Sequence, residues 1–348
     1  MTRRHYRVAQ WATGNIGLYT LRAVIDHPRY DLVGVRVYSD AKAGRDAGDL
    51  CGRPPTGIIA TQDVDAIIAA RPDCILYMPD RPEIETMCRL LAAGINLASA
   101  ITAFCHRDSI PAADRQALEA ACVQGGASLY CTGSTPGYST EVLPLAFTAI
   151  MRRIDCITQS EACDVSSRNS PEMLFELLGF GRRPEEVPQL GFDPARSIAP
   201  SMRALAEALA LPLDAVTCSH DYAVARTAFN VAAGRIEAGT IAAIRMEISG
   251  MRGGRVLIRR RATWFLGRDI EPAWELPEVV PAWHYRLEGD VPLDIAVTKP
   301  IPEANYPLVS PGLTANPVLN AISHVCAAPP GIRQTDELPM LIGDFGQP

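Results

Sequence analysis

The sequence predicts an α/β N-terminal half, with a parallel sheet covered by helices on both faces, followed by an α+β half built on a mostly antiparallel sheet. Three observations carry this. Residues 6–40 run strand, small-residue turn, helix, strand. Strands and helices then alternate at short spacing as far as Cys131, the pattern of a parallel sheet. Beyond residue 153 the chain changes to long strand-like runs joined by hairpin signals, which favour antiparallel pairing with one face open.

Taken in order, Tyr6–Trp11 is a strand, Ala12–Gly17 a tight turn, and Leu18–His27 a helix stopped by Pro28. Tyr30–Tyr38 is the second strand and Ser39–Gly57 a polar loop. Thr61 is placed to cap a helix running to Ala70. Asp73–Pro79 is a buried strand. Pro82–Ala93 carries Ile84, Met87, Leu90 and Leu91 at helical period. A short strand at Ile95–Ala98, a helix at Pro111–Gln124 closed by Gly125-Gly126, and a strand at Ala127–Cys131 complete the first sheet. A helix after Gly133–Gly137 runs to about Arg153, so the first domain is expected to be 1–152.

In the second domain, 153–312, Ile154–Val165 is a strand, and Pro171–Phe180 and Ala199–Ala210 are helices. Ile244, Met246 and Ile248 form an apolar face opposed to Arg245, Glu247 and Ser249. Met251-Arg252-Gly253-Gly254 signals a hairpin turn into Arg255–Leu266. Trp283–Leu287 and Leu293–Thr298 are two further strands. The proline-rich stretch Lys299–Pro317 is expected to be ordered loop, and Asn316–Cys326 a helix that carries the 313–348 tail back to the first domain.

A chain of 348 residues exceeds one ordinary core. A net charge of −6 lacks the basic footprint that nucleic acid requires. No window approaches the roughly 18 apolar residues of a membrane span, and Met1–His5 has no apolar signal core. The ten cysteines show no C-x-x-C spacing and the six histidines no H-x-x-x-H pair, so no metal site is expected. Small apolar fillers, kept reduced in a cytoplasm, is the reading that follows.

The turn Ala12-Thr13-Gly14-Asn15-Ile16-Gly17 matches G-x-G-x-x-G with alanine in first place. Gly14 lets the backbone approach a pyrophosphate, Gly17 lets helix pack on strand, and the Asn15 and Ile16 N–H groups face the anion. Its position between strand and helix makes this a dinucleotide turn and the first domain a Rossmann domain. After the second strand, Ser39 and Lys42 suit a 2′-phosphate, so NADP is favoured over NAD. Asp40 is positioned either to bond a ribose or to point into solvent. Met78-Pro79 and Ala100 end successive strands at the carboxyl edge, where ligands of open α/β sheets bind. Ser134 and Thr135 either bond a nicotinamide amide or cap a strand-to-helix connector.

The chain resembles the dihydrodipicolinate-reductase-like oxidoreductases, and within them the 2,4-diaminopentanoate dehydrogenase and native amine dehydrogenase branch. The resemblance rests on Gln10–Gly17, Thr132–Tyr138, Leu177–Gly181, Glu288-Gly289-Asp290 and Val325–Gly331. It implies a substrate domain that dimerises through its sheet, and NAD(P)H chemistry on a small, mainly apolar C=O or C=N compound. The His-His-x-x-Lys and Pro-Ser-Gly-Thr runs of true dihydrodipicolinate reductases are absent. The branch also places a glutamate for ammonia and the imine proton at the position that is Ala103 here. Asp164, His106 and Tyr138 are the remaining candidates for proton transfer. Phe180, Trp283 and Tyr285 are candidates for pocket lining or core. The alternative to an enzyme is a cofactor-holding sensor or a lapsed enzyme.

Overall fold

The computed structural model describes residues 5–343 other than Leu190, Phe192, Pro281, Glu303 and Ala304, so Met1–Arg4 and the end of the tail lie outside it. The chain forms two compact units, one running to Val142 and resuming at Pro307, the other spanning Leu143–Tyr306.

The first unit contains β1 (Tyr6–Trp11), α1 (Asn15–Asp26), β2 (Tyr30–Arg36), α2 (Ala47–Cys51), α3 (Val64–Ala69), β3 (Cys74–Tyr77), α4 (Ile84–Ala92), β4 (Asn96–Ser99), α5 (Ala112–Gly125) and β5 (Ser128–Cys131). The second contains α6 (Leu143–Thr148), β6 (Ile154–Asp164), α7 (Pro194–Ala208), β7 (Ala215–Ala225), β8 (Phe229–Val231), β9 (Gly234–Ile236), β10 (Ile241–Arg252), β11 (Arg255–Phe265), β12 (Ile270–Glu271), β13 (Ala282–Gly289) and β14 (Leu293–Thr298). The chain then returns through α8 (Tyr306–Ala327) to β15 (Gly331–Arg333).

The first sheet is parallel, in the order β15-β5-β4-β3-β1-β2. Alternation along each strand divides its two cores. Ile75, Tyr77, Leu97 and Leu129 face Met87, Leu90 and Leu91 of α4 and Leu118 and Cys122 of α5. Val8, Cys74, Leu76 and Ala98 face Val24 of α1 and Val318, Leu319 and Ile322 of α8. Burial on both faces is why β3 is a continuous apolar run.

The second sheet has the order β12-β7-β10-β11-β6-β13-β14, antiparallel throughout except between β11 and β6. β10 and β11 are joined at Gly253 and Gly254, whose φ of 55° and 76° give the type I′ turn that matches strand twist. The inner face packs Ile244, Met246 and Ala262 against Leu174, Leu178 and Phe180.

Four local expectations are corrected. The loop Ser39–Gly57 contains α2, capped by Asp46, whose carboxylate accepts from the Gly48 N–H. Asp63, not Thr61, caps α3; the Thr61 backbone instead bonds to Val35 and Val37 alongside β2. β15 extends the parallel sheet where no strand is expected. The expected loop up to Pro317 is helical from Tyr306, with Pro311 and Pro317 inside α8. Each proline removes one i→i−4 bond, and burial of Ala315, Val318, Ala321, Ile322 and Val325 outweighs that loss.

Candidate functional site

The strand order places the turn after β1 beside the switch point, where the chain leaves β1 for β2 on one side and returns as β3 on the other. Ala12 takes a left-handed φ of 70°, the conformation glycine would adopt freely in that place. Gly14 caps α1 without a side-chain acceptor, and a Cβ there would meet nothing within 4 Å. The first-turn N–H groups, including those of Asn15 and Ile16, have no intrahelical acceptor. Gly17 is different: a Cβ would stand 2.3 Å from the Ala12 carbonyl oxygen. The fully buried Gln10 braces the turn from below. Its Nε2 donates to the Ala12 carbonyl at 2.8 Å, and its Oε1 accepts from Thr20 Oγ1 at 2.6 Å.

A cavity of about 440 Å³ opens on this turn, lined by Ala12, Thr13, Gly14, Tyr38, Ser39, Lys42, Met78, Pro79, Asp80, Arg81 and Glu83. Residues from three strand ends are thus brought together. Lys42 Nζ donates to the Thr13 carbonyl at 2.8 Å and to Thr13 Oγ1 at 3.2 Å, which ties the loop after β2 to the turn. Asp40 does not line the cavity; its Oδ1 accepts from Gln62 at 3.1 Å. Ser39 Oγ accepts from the Ala41 N–H at 3.2 Å.

The sequence reading missed Arg36 and Tyr38. The Arg36 guanidinium lies 4.6 Å from the centre of the Tyr38 ring, and Trp11 Nε1 donates to the Tyr38 hydroxyl at 3.0 Å. Burial, then the nearby Glu83 carboxylate, pushes the Tyr38 phenol up to about 12, so it stays neutral near pH 7. The available signal was the i, i+2 spacing of a cation and an aromatic where β2 ends.

Ala100, Ser134 and Thr135 follow β4 and β5 at the same carboxyl edge but do not line this cavity. Ala100 packs in the core beside α8, and Thr135 Oγ1 bonds Ser139 Oγ at 2.6 Å. Ala103 is exposed on a single 3₁₀ turn, Thr102–Phe104. His106 is buried, with Nδ1 2.8 Å from Ser109 Oγ. Tyr138 is half-buried, and its N–H donates to the Gly133 carbonyl at 2.7 Å. Asp164, at the end of β6, accepts from the Ser166 N–H at 2.9 Å and so closes a turn. His106 and Tyr138 belong to the first unit and Asp164 to the second. Among the described residues of the first unit the buried carboxylate is Glu141, which accepts from the Thr335 hydroxyl. Its charge, after hydrogen bonding to Cys131 and burial, helps hold the Cys105 thiol neutral.

Phe180, Trp283 and Tyr285 are buried in the second unit. A larger cavity, about 660 Å³, lies against the second sheet, with Arg245, Arg261, His284 and Arg286 in its walls. Much of that charge is already paired, Arg259 and Arg261 with Glu247 and Arg286 with Asp294, and His284 Nε2 lies 2.6 Å from Asp294 Oδ1. All ten cysteines are free thiols; Cys218 is exposed, so it is not a core filler. Among the described residues no three His, Cys, Asp or Glu side chains are grouped to hold a metal ion, and no helix is long and apolar enough to cross a membrane.

No family model matches the chain. It is 28% identical to an amine dehydrogenase of Streptomyces virginiae over 351 aligned positions, 97% of this chain and 98% of that protein. The structure of an amine dehydrogenase from Mycobacterium smegmatis superposes with a TM-score of 0.75 at 19% identity, covering 97% of each chain. GenD2 from gentamicin A biosynthesis, solved in complex with NAD, gives 0.50 at 15% identity over 92% of this chain and 87% of that one. The fold is therefore that of the amine dehydrogenase structure: an N-terminal Rossmann domain and a C-terminal α+β domain on a mostly antiparallel sheet.

Proposed function

We propose that the protein is an NAD(P)H-dependent oxidoreductase that moves hydride to or from a small, mainly apolar carbonyl or imine, with the alcohol or amine as counterpart. The observation that carries this reading is the braced turn Ala12–Gly17 at the switch point, open above Gly14 and closed below at Gly17. Whole-length similarity to an amine dehydrogenase supports it. A bound nicotinamide supplies or accepts the hydride. The chain's own part is to bind and orient: the Asn15 and Ile16 N–H groups would hold the pyrophosphate, and the Arg36–Tyr38 stack offers a flat platform for the adenine. Lys42 and Ser39 would hold a 2′-phosphate. The engagement of Asp40 with Gln62 supports NADP over NAD, because it turns away the carboxylate that would repel that phosphate. We also read the second sheet's outer face as the contact of a homodimer, which sedimentation equilibrium tests directly.

The deciding assay follows NADPH and NADH oxidation with a panel of small ketones and aldehydes, with and without ammonia. Turnover with a preference for NADPH is expected, and no oxidation across the panel would overturn the reading. Ala103 favours the second reading, a cofactor-holding protein without turnover, since methyl can neither bind ammonium nor carry a proton. Tight NADPH binding without oxidation would support that alternative. Ala103→Glu is exposed and should fold; a rise of at least about tenfold in ammonia-dependent turnover is expected, from restored acid–base assistance.

A further inference from the structure

The inner face of the second sheet buries hydrogen-bond donors that the fold leaves unused. At the junction of β6, β11 and β13, Gln159 pairs with Arg260 on one side and Tyr285 on the other, while Glu161 pairs with Trp283. The Arg260 side chain is 5% exposed, and its Nη2 donates to Glu161 Oε2 at 2.9 Å. Arg260 Nε and Nη1 and Gln159 Nε2 have no hydrogen-bond partner among the described residues. Lys299, just past β14, joins the group: its ammonium lies 3.6 Å from the centre of the Trp283 ring and likewise has no hydrogen-bond partner among the described residues. Two cations therefore share one carboxylate.

A guanidinium kept from water with most of its fork empty is strongly unfavourable, and a second cation beside it makes matters worse. An internal salt bridge alone needs neither Lys299 nor the unused Gln159 amide N–H. The missing element is a small anion with two oxygens in a plane. A guanidinium edge and an adjacent amide N–H match a carboxylate, an ammonium adds a point charge, and the Trp283 and Tyr285 rings suit the carbon attached to it. The cavity against the second sheet is lined by Glu161 and Trp283 and so borders the group, while the unpartnered donors behind them are shielded from water.

We propose that Arg260, Gln159 and Lys299 form a subsite for the carboxylate of a small organic acid, which makes the substrate an oxo acid or its amino or hydroxy counterpart. The substrate class rests on the oxidoreductase reading above; the subsite itself does not.

Calorimetric titration of the full chain with 3-methylbutanoate and with its uncharged isostere 3-methylbutanamide tests the subsite. Saturable binding of the acid, at least tenfold tighter than the amide, is expected. Lys299→Met and Gln159→Leu keep the Arg260–Glu161 pair and should each weaken the acid at least threefold. Arg260→Met is made together with Glu161→Gln, so that no lone charge is buried, and should abolish acid binding. Equal binding of acid and amide, no binding of either, or an unchanged acid affinity in these variants overturns the proposal. NADPH titration of the same samples separates the two claims. Cofactor binding without acid binding removes the subsite alone, whereas absence of cofactor binding removes the oxidoreductase reading and leaves the acid titration to decide the subsite.

Discussion

In the first unit the candidate site is made chiefly of backbone: Ala12 to Gly17 present N–H groups and empty space, and Gln10 and Thr20 brace them from within the same stretch. In the second unit the binding groups are side chains from β6, β11 and the segment after β14, set side by side only by strand register. A backbone site tolerates changes of charge and fails on added volume. A side-chain site tolerates volume at its edges and fails when a charge is removed. The cofactor end is therefore robust and generic, while the other end can differ between proteins of the same fold.

Volume at Gly17 gives the strongest test of this contrast. Gly17→Ala places a methyl against the Ala12 carbonyl. Overpacking of this kind costs about 1–3 kcal/mol, and NADPH affinity should fall by roughly tenfold or more as the turn shifts. Thermal melts and fluorescence titration measure both, and wild-type binding by this variant would break the idea that backbone geometry makes the site. Removing a charge there should do less. Lys42→Met is expected to weaken NADPH by about threefold to fivefold, the range of a solvent-screened ion pair, and NADH by less. Equal losses for the two cofactors would point to the Thr13 contact alone.

The second unit should respond to pH instead. Burial pulls the Lys299 ammonium down to about 8, against the opposing pull of Glu161 and Cys163 on β6; Arg260 on β11 is the other charge in the group. Because the folded value lies below the ordinary one of 10.5, the native state binds fewer protons than the unfolded chain between about pH 8 and 10.5. Stability should therefore rise across that window, by on the order of 1 kcal/mol after solvent screening. Lys299→Met should flatten the rise in denaturant titrations. Affinity for the organic acid should move the other way and weaken as Lys299 loses its proton. The smallest expected effect is at Ala12, whose left-handed φ costs an alanine about 1–2 kcal/mol. Ala12→Gly removes that cost but loosens the unfolded chain, so a gain under about 1 kcal/mol is expected in chemical denaturation, with cofactor binding unchanged.

What depends on near neighbours can be read from the order of residues alone. The turn at Ala12–Gly17 is legible because strand, glycines and helix follow one another directly. β3 is legible because a strand buried on both faces must be apolar throughout, and the β10–β11 hairpin because Gly253-Gly254 suits one turn type. Where neighbours are distant the signal disappears. β15 is three residues with no period, held by pairing to β5. The early part of α8 is hidden by Pro311, since helix propensity cannot anticipate how much apolar surface that helix buries. Gln10 looks like any polar strand residue until the turn folds over it. Arg259, Arg260 and Arg261 are identical letters. Only the pleat turns two of them to Glu247 and leaves the middle one on the inner face beside Gln159, with a single carboxylate for its fork. Register between strands distant in sequence decides which charge is buried, and no local pattern records it.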